Sequence, residues 1–265
     1  MTYWVHEVSP AWLAERKQVV TATDLVDLRS GFTKLNKGQK AGEKLAPAFM
    51  ALWGKKNSLV PDDPMSSNKA ARGHWMEPYA VRDFSEKIGE EYHHWDDCII
   101  CNGEIGFSPD GMDIKQECPY PARMDYVEGI GITDGVMELP SPRKILEVKC
   151  YDIPAHMTAC ATPKEQLKER WQVAGAFLVL PTLEKATIVF YCPLTSWGVD
   201  YKEYTREELK DEIEELEELL EVWEKQKHLI EHKWQPEMVC DFTEEEIVKD
   251  FADFMSDGII RKWED

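Results

Sequence analysis

Ser108-Pro109-Asp110-Gly111 puts an aspartate on a tight turn. Thirty-seven positions after Asp110 comes Glu147, inside Leu146-Glu147-Val148-Lys149-Cys150, with a lysine two residues beyond it in an apolar run. In a β-strand, residues two apart share a face, so Glu147 and Lys149 project together while Leu146 and Val148 pack the other way. Two carboxylates beside a lysine can hold a hard divalent cation through oxygen ligands and activate a water. Glu-x-Lys alone is a weak signal, because it recurs at Glu15, Glu208 and Glu231 in charged contexts of helical character. The copy at Glu147 differs in lying on a strand-like segment, Lys144 to Lys149.

These groups need elements to hold them. Ser9-Pro10 opens an amphipathic helix running to Val20, and Thr21 to Asp24 supplies N-cap residues for a second, short one. Residues 34–44 read as a basic, mobile connection, Ala46 to Trp53 as a helix, and Pro61-Asp62-Asp63-Pro64 as a break. Ser67 to Ile88 has a strong helical pattern, with Trp75, Tyr79, Val81 and Phe84 available for packing. Asn102-Gly103, flanked by alternating residues 98–107, predicts a hairpin. Pro119 to Pro142, rich in Pro and Gly, reads as an excursion between strands. Lys144 to Cys150 and Lys185 to Cys192 predict strands, with a helix from Pro163 to Leu180 between them. From Thr205 to His232 a long acidic helix carries Leu209, Leu216, Trp223 and Ile230 at seven-residue spacing, a stripe that must pack on its own domain or a neighbouring subunit. The fold class is mixed α/β, a small central mixed sheet flanked by helices. It is divided into a core over 1–200, with about 112–143 as an insertion, and an acidic helical extension over 201–265. No Walker lysine loop or Rossmann glycine fingerprint occurs.

Charge is uneven along the 265 residues. The net value of −19 argues against a general nucleic-acid coat protein, yet residues 1–60 carry nine Lys/Arg against five Asp/Glu, and residues 200–265 carry nine against 23. The acidity is concentrated in the tail, and a bound divalent cation inverts local charge, so a DNA substrate is compatible. Seven cysteines at irregular spacing fit a reducing compartment. Cys98 and Cys101 have metal-ligand spacing but no second Cys-x-x-Cys, which leaves buried strand cysteines as the default. His93-His94 also looks like a ligand pair, but adjacent side chains diverge on a helix or strand. No signal-peptide-like start and no apolar run near the ~20 residues of a membrane span occur, so a soluble, cytoplasmic protein is expected.

Four pieces lie in a fixed order: Arg72-Gly73-His74-Trp75-Met76-Glu77-Pro78-Tyr79 on a helix, Phe107-Ser108-Pro109-Asp110-Gly111 after a hairpin, Glu147-Val148-Lys149 on a strand, and Arg170-Trp171-Gln172-Val173-Ala174-Gly175 on the next helix. This order resembles the PD-(D/E)xK nuclease superfamily, and within it the phage lambda exonuclease or YqaJ-like viral recombination nucleases. In that family a helix supplies a Glu, the Pro-Asp-Gly turn an Asp, the following strand Glu-x-Lys, and the next helix a Gln. Upstream, Arg16-Lys17-Gln18-Val19-Val20-Thr21-Ala22-Thr23 is similar to the family's Arg-x-x-x-Ile-Thr-Ala-Ser element, whose Arg and Ser help form a pocket for a terminal 5′-phosphate. The resemblance covers about residues 10–195.

The resemblance implies a metal-dependent 5′→3′ double-strand DNA exonuclease that leaves 3′ single-stranded tails for phage-type recombination. Glu77, Asp110, Glu147, Lys149 and Gln172 would be its catalytic residues. Mg²⁺, with Mn²⁺ able to substitute, would be held by Asp110, Glu147, the Val148 carbonyl and Glu77. Arg16, Thr23 and Ser108 would bind the 5′-phosphate. A homotrimeric ring threading DNA ends and a single-strand annealing partner are implied by the family, in the cytoplasm of a bacterial host if phage-encoded. Each residue has a blander reading: an exposed helix acid for Glu77, a turn residue for Asp110, an ordinary polar helix residue for Gln172, a surface ion-pair member for Arg16. Two features depart from the family pattern: the long interval between Asp110 and Glu147, and the length and charge of the final helix. The alternatives are an endonuclease or Cas4-like enzyme on the same fold, the latter marked by an iron–sulfur cysteine cluster, and a non-catalytic DNA-binding or assembly module.

Overall fold

The structure, a computed structural model, describes residues 9–35, 47–57, 68–115 and 121–233. Ser9 caps helix α1 (Pro10–Gln18) by accepting from the Trp12 N–H, and proline sits where a missing N–H costs nothing. After the two-residue strand β1 (Val20–Thr21), Asp24 Oδ2 accepts from Thr21 N at 2.9 Å and Thr21 Oγ1 accepts from Asp24 N at 3.2 Å. This reciprocal cap opens α2 (Ala22–Leu35). Then come α3 (Pro47–Lys56), α4 (Asn68–Ile88), β2 (His93–His94), β3 (Ile99–Asn102), β4 (Ile105–Phe107), β5 (Gly111–Met112), β6 (Arg123–Val127), β7 (Gly131–Thr133) and β8 (Glu138–Leu139). The chain continues through β9 (Lys144–Cys150), α5 (Ile153–Ala161), a 3₁₀ turn (Lys164–Gln166), α6 (Arg170–Val179), β10 (Lys185–Tyr191), β11 (Val199–Thr205) and α7 (Lys210–Lys233).

The strands form two mixed sheets, one ordered β1-β4-β3-β6-β7-β8 and the other β11-β10-β9-β5-β2. β3 and β4 make the expected hairpin, with Gly103 (φ 62°) and Glu104 in its turn. Of the expected excursion at 119–142, within the proposed insertion 112–143, the described part from residue 121 extends the first sheet. β6 pairs parallel with β3, β7 and β8 follow antiparallel, and Met124 and Ile132 are fully buried. Strands of two to five residues separated by glycine turns are too short to show an alternating pattern, which is why composition reads as loop. Gly131 (φ 126°) has to be glycine, because a Cβ there would sit 2.2 Å from the Leu139 carbonyl oxygen.

Helix α6 packs against both sheets and, with α2, α3 and α7, forms the main core around Phe49, Ile100, Phe107, Phe177 and Ile188. On the far side of β9 and β10, α4 buries Met76, Ala80, Val81 and Phe84 against Leu146, Val148 and Val189. Trp75 and Tyr79, expected to pack, lie on the opposite side of α4 and are 47% and 41% exposed. The stripe on α7 is buried as expected: Leu209, Ile213, Leu216, Leu219 and Trp223 join the main core, and Trp223 stacks on Phe49. The expected boundary near residue 200 falls inside β11, which pairs with β10 along its whole length. The helix expected from Pro163 begins only at Arg170, and α5 and the polar edge strand β11 had no clear signal in the sequence. The connection at 36–46, the break at 61–64 and residues 234–265 lie outside the described residues. Among the described residues, no helix is long and apolar enough to cross a membrane.

Two glycines test this packing. A Cβ on Gly175 would lie 2.7 Å from the Ala22 Cβ and 3.2 Å from its Cα, so α6 and α2 approach as only glycine allows. A Cβ on Gly73, in α4, would meet nothing within 4 Å. Gly175→Ala is expected to lower unfolding free energy by about 1–3 kcal/mol through overpacking. Gly73→Ala should raise it by roughly 0.5–1 kcal/mol through helix propensity. Denaturant titration of both variants reads these opposite signs.

Candidate active site

The hairpin leaves the first sheet at Phe107, turns through Ser108 and Pro109, and enters the second sheet at Gly111. There β5 runs antiparallel to β9 with Gly111 opposite Leu146, so Asp110 and Glu147, far apart in sequence, become neighbours. The Asp110 N–H donates to the Leu146 carbonyl at 3.1 Å, and the Asp110 carboxylate accepts from the Val148 N–H at 2.5 Å. Along β9, Leu146 and Val148 face α4 while Glu147 and Lys149 face α6, as period-two geometry requires. Lys149 Nζ lies 2.6 Å from Glu147 Oε1 and 3.2 Å from Gln172 Oε1. The Gln172 amide in turn donates to Glu147 Oε1 at 2.7 Å.

One cavity of about 160 Å³ collects most of the sequence-predicted residues: Glu77, Asp110, Glu147 and Gln172, together with Arg16, Thr23 and Ser108. Lys149 joins it through Glu147 and Gln172, and Val148 contributes its N–H to Asp110 while its side chain packs under α4. Ser108 and Arg16 are linked by a residue that sequence reading missed. Trp12 Nε1 donates to Ser108 Oγ at 3.2 Å, and the Arg16 guanidinium lies over the Trp12 ring, 4.4 Å from its centroid. The Arg16 carbonyl accepts from Lys56 Nζ at 2.9 Å, and Lys56 also pairs with buried Asp24 at 2.6 Å. Burial alone would raise the Asp24 pKa, but the Lys56 ammonium prevails and holds it below the ordinary value. This ion pair ties α3 to the α1–α2 corner that carries Arg16 and Thr23.

Each acid is held by its own partner. Glu77 Oε2 meets His74 Nδ1 at 2.6 Å and lies 3.9 Å from His94 Nε2, while His74 Nε2 lies 2.8 Å from Asp96. Burial opposes a charged His74, yet the bonds to Asp96 and Glu77 outweigh it and push its pKa up to about 10. The same contacts overcome burial at Glu77 and lower its pKa. Burial, reinforced by the Glu147 and Glu77 charges, raises Asp110 well above the usual carboxylate range. Burial also raises Glu147, against the opposing charge of Lys149. Lys149 shifts upward, because Glu147 and Asp110 outweigh its own burial, so it stays an ammonium. His74 was missed as a site residue, although its place three positions before Glu77 on one helix face was a signal available in the sequence.

The residues fit a divalent cation. Glu147 Oε2 is buried without a hydrogen-bond partner, an expensive arrangement for a carboxylate oxygen unless a cation or proton meets it. Asp110, Glu147 and Glu77 offer the hard oxygen donors such an ion requires. They are more widely spread than the one close grouping of metal-type side chains among the described residues. That grouping is His74, Asp96 and Asp97, with ligand atoms within 4.8 Å of one another. Both ring nitrogens of His74 already face carboxylates, so an ion there would have to displace a proton. Cys98, just before β3, and Cys101, within it, are buried in different core clusters. Their thiols are raised by burial to about 12 and about 11. His93 and His94 likewise diverge, His93 toward Glu91 and His94 toward Glu77.

No family model and no curated protein sequence matches the chain. Solved structures do. The crystal structure of an alkaline exonuclease, LHK-Exo, from Laribacter hongkongensis superposes with a TM-score of 0.56 at 17% identity, over 85% of this chain and 97% of that one. The chain has the fold of LHK-Exo. The structure of LHK-Exo in complex with dAMP gives a TM-score of 0.55 at 16% identity with the same coverage. The expected mixed α/β architecture, with a sheet flanked by helices, is therefore the observed one.

The raised carboxyls carry a sign that can be measured. Asp110 and Glu147 bind protons more readily folded than unfolded. In the metal-free protein their contribution to stability is thus present at low pH and is lost as pH rises above the ordinary carboxylate range through their raised values. A cation competes with those protons, so the gain in thermal midpoint on adding Mg²⁺ or Mn²⁺ should be larger at pH 8 than at pH 6. Glu147→Gln should abolish that gain. A gain independent of pH, or one that survives in Glu147→Gln, would locate the cation elsewhere.

Proposed function

We propose that this protein is a divalent-metal-dependent nuclease that resects linear duplex DNA from 5′ ends. The reading is carried by one observation: the Asp110–Glu147–Lys149–Gln172 cluster, with its buried, partnerless carboxylate oxygen, shares a cavity with Arg16, Thr23 and Ser108. The fold shared with LHK-Exo supports it. Glu77, Asp110 and Glu147, with the Val148 carbonyl, would hold Mg²⁺ or Mn²⁺. When bound, such an ion lowers the pKa of a coordinated water and polarises a phosphoryl oxygen.

The chain's own residues supply the rest. Lys149, kept protonated by Glu147 and Asp110, cannot serve as a base; it donates hydrogen bonds and offsets negative charge that develops on the phosphate. Gln172, bonded to both Lys149 and Glu147, fixes their orientation. Arg16 offers a planar fork of donors suited to the extra charge of a terminal phosphate, and Thr23 and Ser108, which line the same cavity, would add hydroxyls. Resection to 3′ tails would serve recombination by strand annealing. A homotrimeric ring, a single-strand annealing partner and a cytoplasmic setting belong to the same reading through the family resemblance.

Digestion of linear duplexes bearing 5′-phosphate or 5′-hydroxyl ends, with closed circles as control, tests the function. Phosphorylated ends should be degraded fastest and circles left intact. Lys149→Ala should abolish cleavage while duplex binding persists, because it removes transition-state charge and no metal ligand. Arg16→Ala should reduce the preference for 5′-phosphate by about one to two orders of magnitude, the worth of a charge-assisted bond of roughly 1.5–3 kcal/mol. Near-normal turnover in Lys149→Ala would overturn the catalytic assignment. Rapid cutting of circles would favour an endonuclease.

A further inference from the structure

In each of the three acids of the candidate site, one oxygen is committed to a donor of the chain. Asp110 Oδ2 accepts from the Val148 N–H, Glu147 Oε1 accepts from Lys149 and Gln172, and Glu77 Oε2 lies 2.6 Å from His74 Nδ1. The second Glu147 oxygen, Oε2, is buried with no donor. For Asp110 and Glu147 the donors come from β9 and from α6 packed on it, so they belong to the frame of the fold. For Glu77 the donor is a histidine side chain that is itself held. His74 lines the same cavity, and its Nε2 lies 2.8 Å from Asp96 Oδ1.

Asp96 is fixed from both sides. Before it, the Trp95 N–H donates to the Asp110 carbonyl at 3.2 Å, and the Trp95 indole donates to the Ile114 carbonyl at 3.0 Å. After it, Asp97 is the one non-glycine residue with positive φ (48°) among the described residues, and its Oδ2 accepts from the Ser9 N–H at 2.9 Å. A non-glycine residue in that conformation persists where surrounding contacts hold it. The turn thus ties Asp96 to the Asp110 backbone and, through His74, sets which oxygen of Glu77 is taken. Carboxylates left with one free oxygen each suit a small ion of octahedral preference, such as Mg²⁺ or Mn²⁺. Ca²⁺ is larger, gathers roughly six to eight oxygens and readily takes both from one carboxylate. We propose, on the nuclease reading above, that His74, backed by Asp96, is a positioning residue that holds Glu77 to a single free oxygen and so makes the site select Mg²⁺ or Mn²⁺ over Ca²⁺.

Isothermal titration of the protein with Mn²⁺ and with Ca²⁺, in the absence of DNA, tests this. Wild type should bind Mn²⁺ more tightly than Ca²⁺. His74→Ala should weaken Mn²⁺ binding about 10–100-fold, the usual cost of losing a group that orients a metal ligand. Ca²⁺ binding should weaken far less, because a released Glu77 can offer both oxygens, so the ratio of the two affinities falls by roughly tenfold. His74→Gln, which keeps a side-chain donor, should recover part of the ratio. Asp96→Asn, one step removed from Glu77, should shift the ratio the same way by less, and it reads the effect should His74→Ala fold poorly. A ratio unchanged in these variants, whether both affinities hold or fall together, overturns the role. Wild type that still digests linear duplex with Mg²⁺ in that case leaves the nuclease reading standing, whereas wild type that binds neither ion overturns both.

Discussion

The chain passes from one sheet to the other in three residues, Ser108 to Asp110, and the site's geometry depends on that crossing being pinned. The antiparallel pairing of β5 with β9 pins it: the Asp110 N–H reaches the Leu146 carbonyl, and its carboxylate reaches the Val148 N–H. Gly111 sits at the tightest point, where a Cβ would lie 3.2 Å from both Leu146 and Val81 side chains. The strand that carries Glu147 and Lys149 thus also fixes Asp110, so one strand holds all three groups. Ser108, at the start of the crossing, is tied through Trp12 to the Arg16 helix, so the candidate end pocket shares the same anchor.

Around that anchor the electrostatics are arranged by opposition. Three buried or half-buried carboxylates in one region would repel each other, and each is drawn aside by its own donor: Asp110 by a backbone N–H, Glu147 by Lys149 and Gln172, Glu77 by His74. The tension that remains appears as raised pKa values at Asp110 and Glu147. A divalent cation is the species that would relieve it, since it offsets two negative charges without a proton.

The acidic helix α7 has a different part. Its stripe of Leu209, Leu216 and Trp223 closes the core beneath α2, α3 and α6, while Glu212 and Glu215 pair with Arg170 and Arg29. Negative charge that composition presents as a tail is therefore partly spent in fixing the helices that carry Gln172 and Thr23.

The sequence alone determined the chemistry-bearing residues and the elements under them. Period two in Lys144 to Cys150 places Glu147 with Lys149, the Ser108-Pro109-Asp110-Gly111 turn marks Asp110, and the heptad stripe marks a buried α7. These are local signals, written within one turn or strand, and physics acts on them at short range. Partners from distant segments were not legible: His74 bridging Glu77 to Asp96, Trp12 joining Ser108 to Arg16, Asp24 tying Lys56 beneath them. Nor was the fate of residues 121–140, whose strands are too short to show a period and gain their order only from pairing with β3. Helical spacing offered Trp75 and Tyr79 as core, yet which side of α4 is buried depends on where β9 lies. Tertiary structure decided these points because hydrogen bonds and ion pairs across long sequence separations exist only after the two sheets and α6 have packed together.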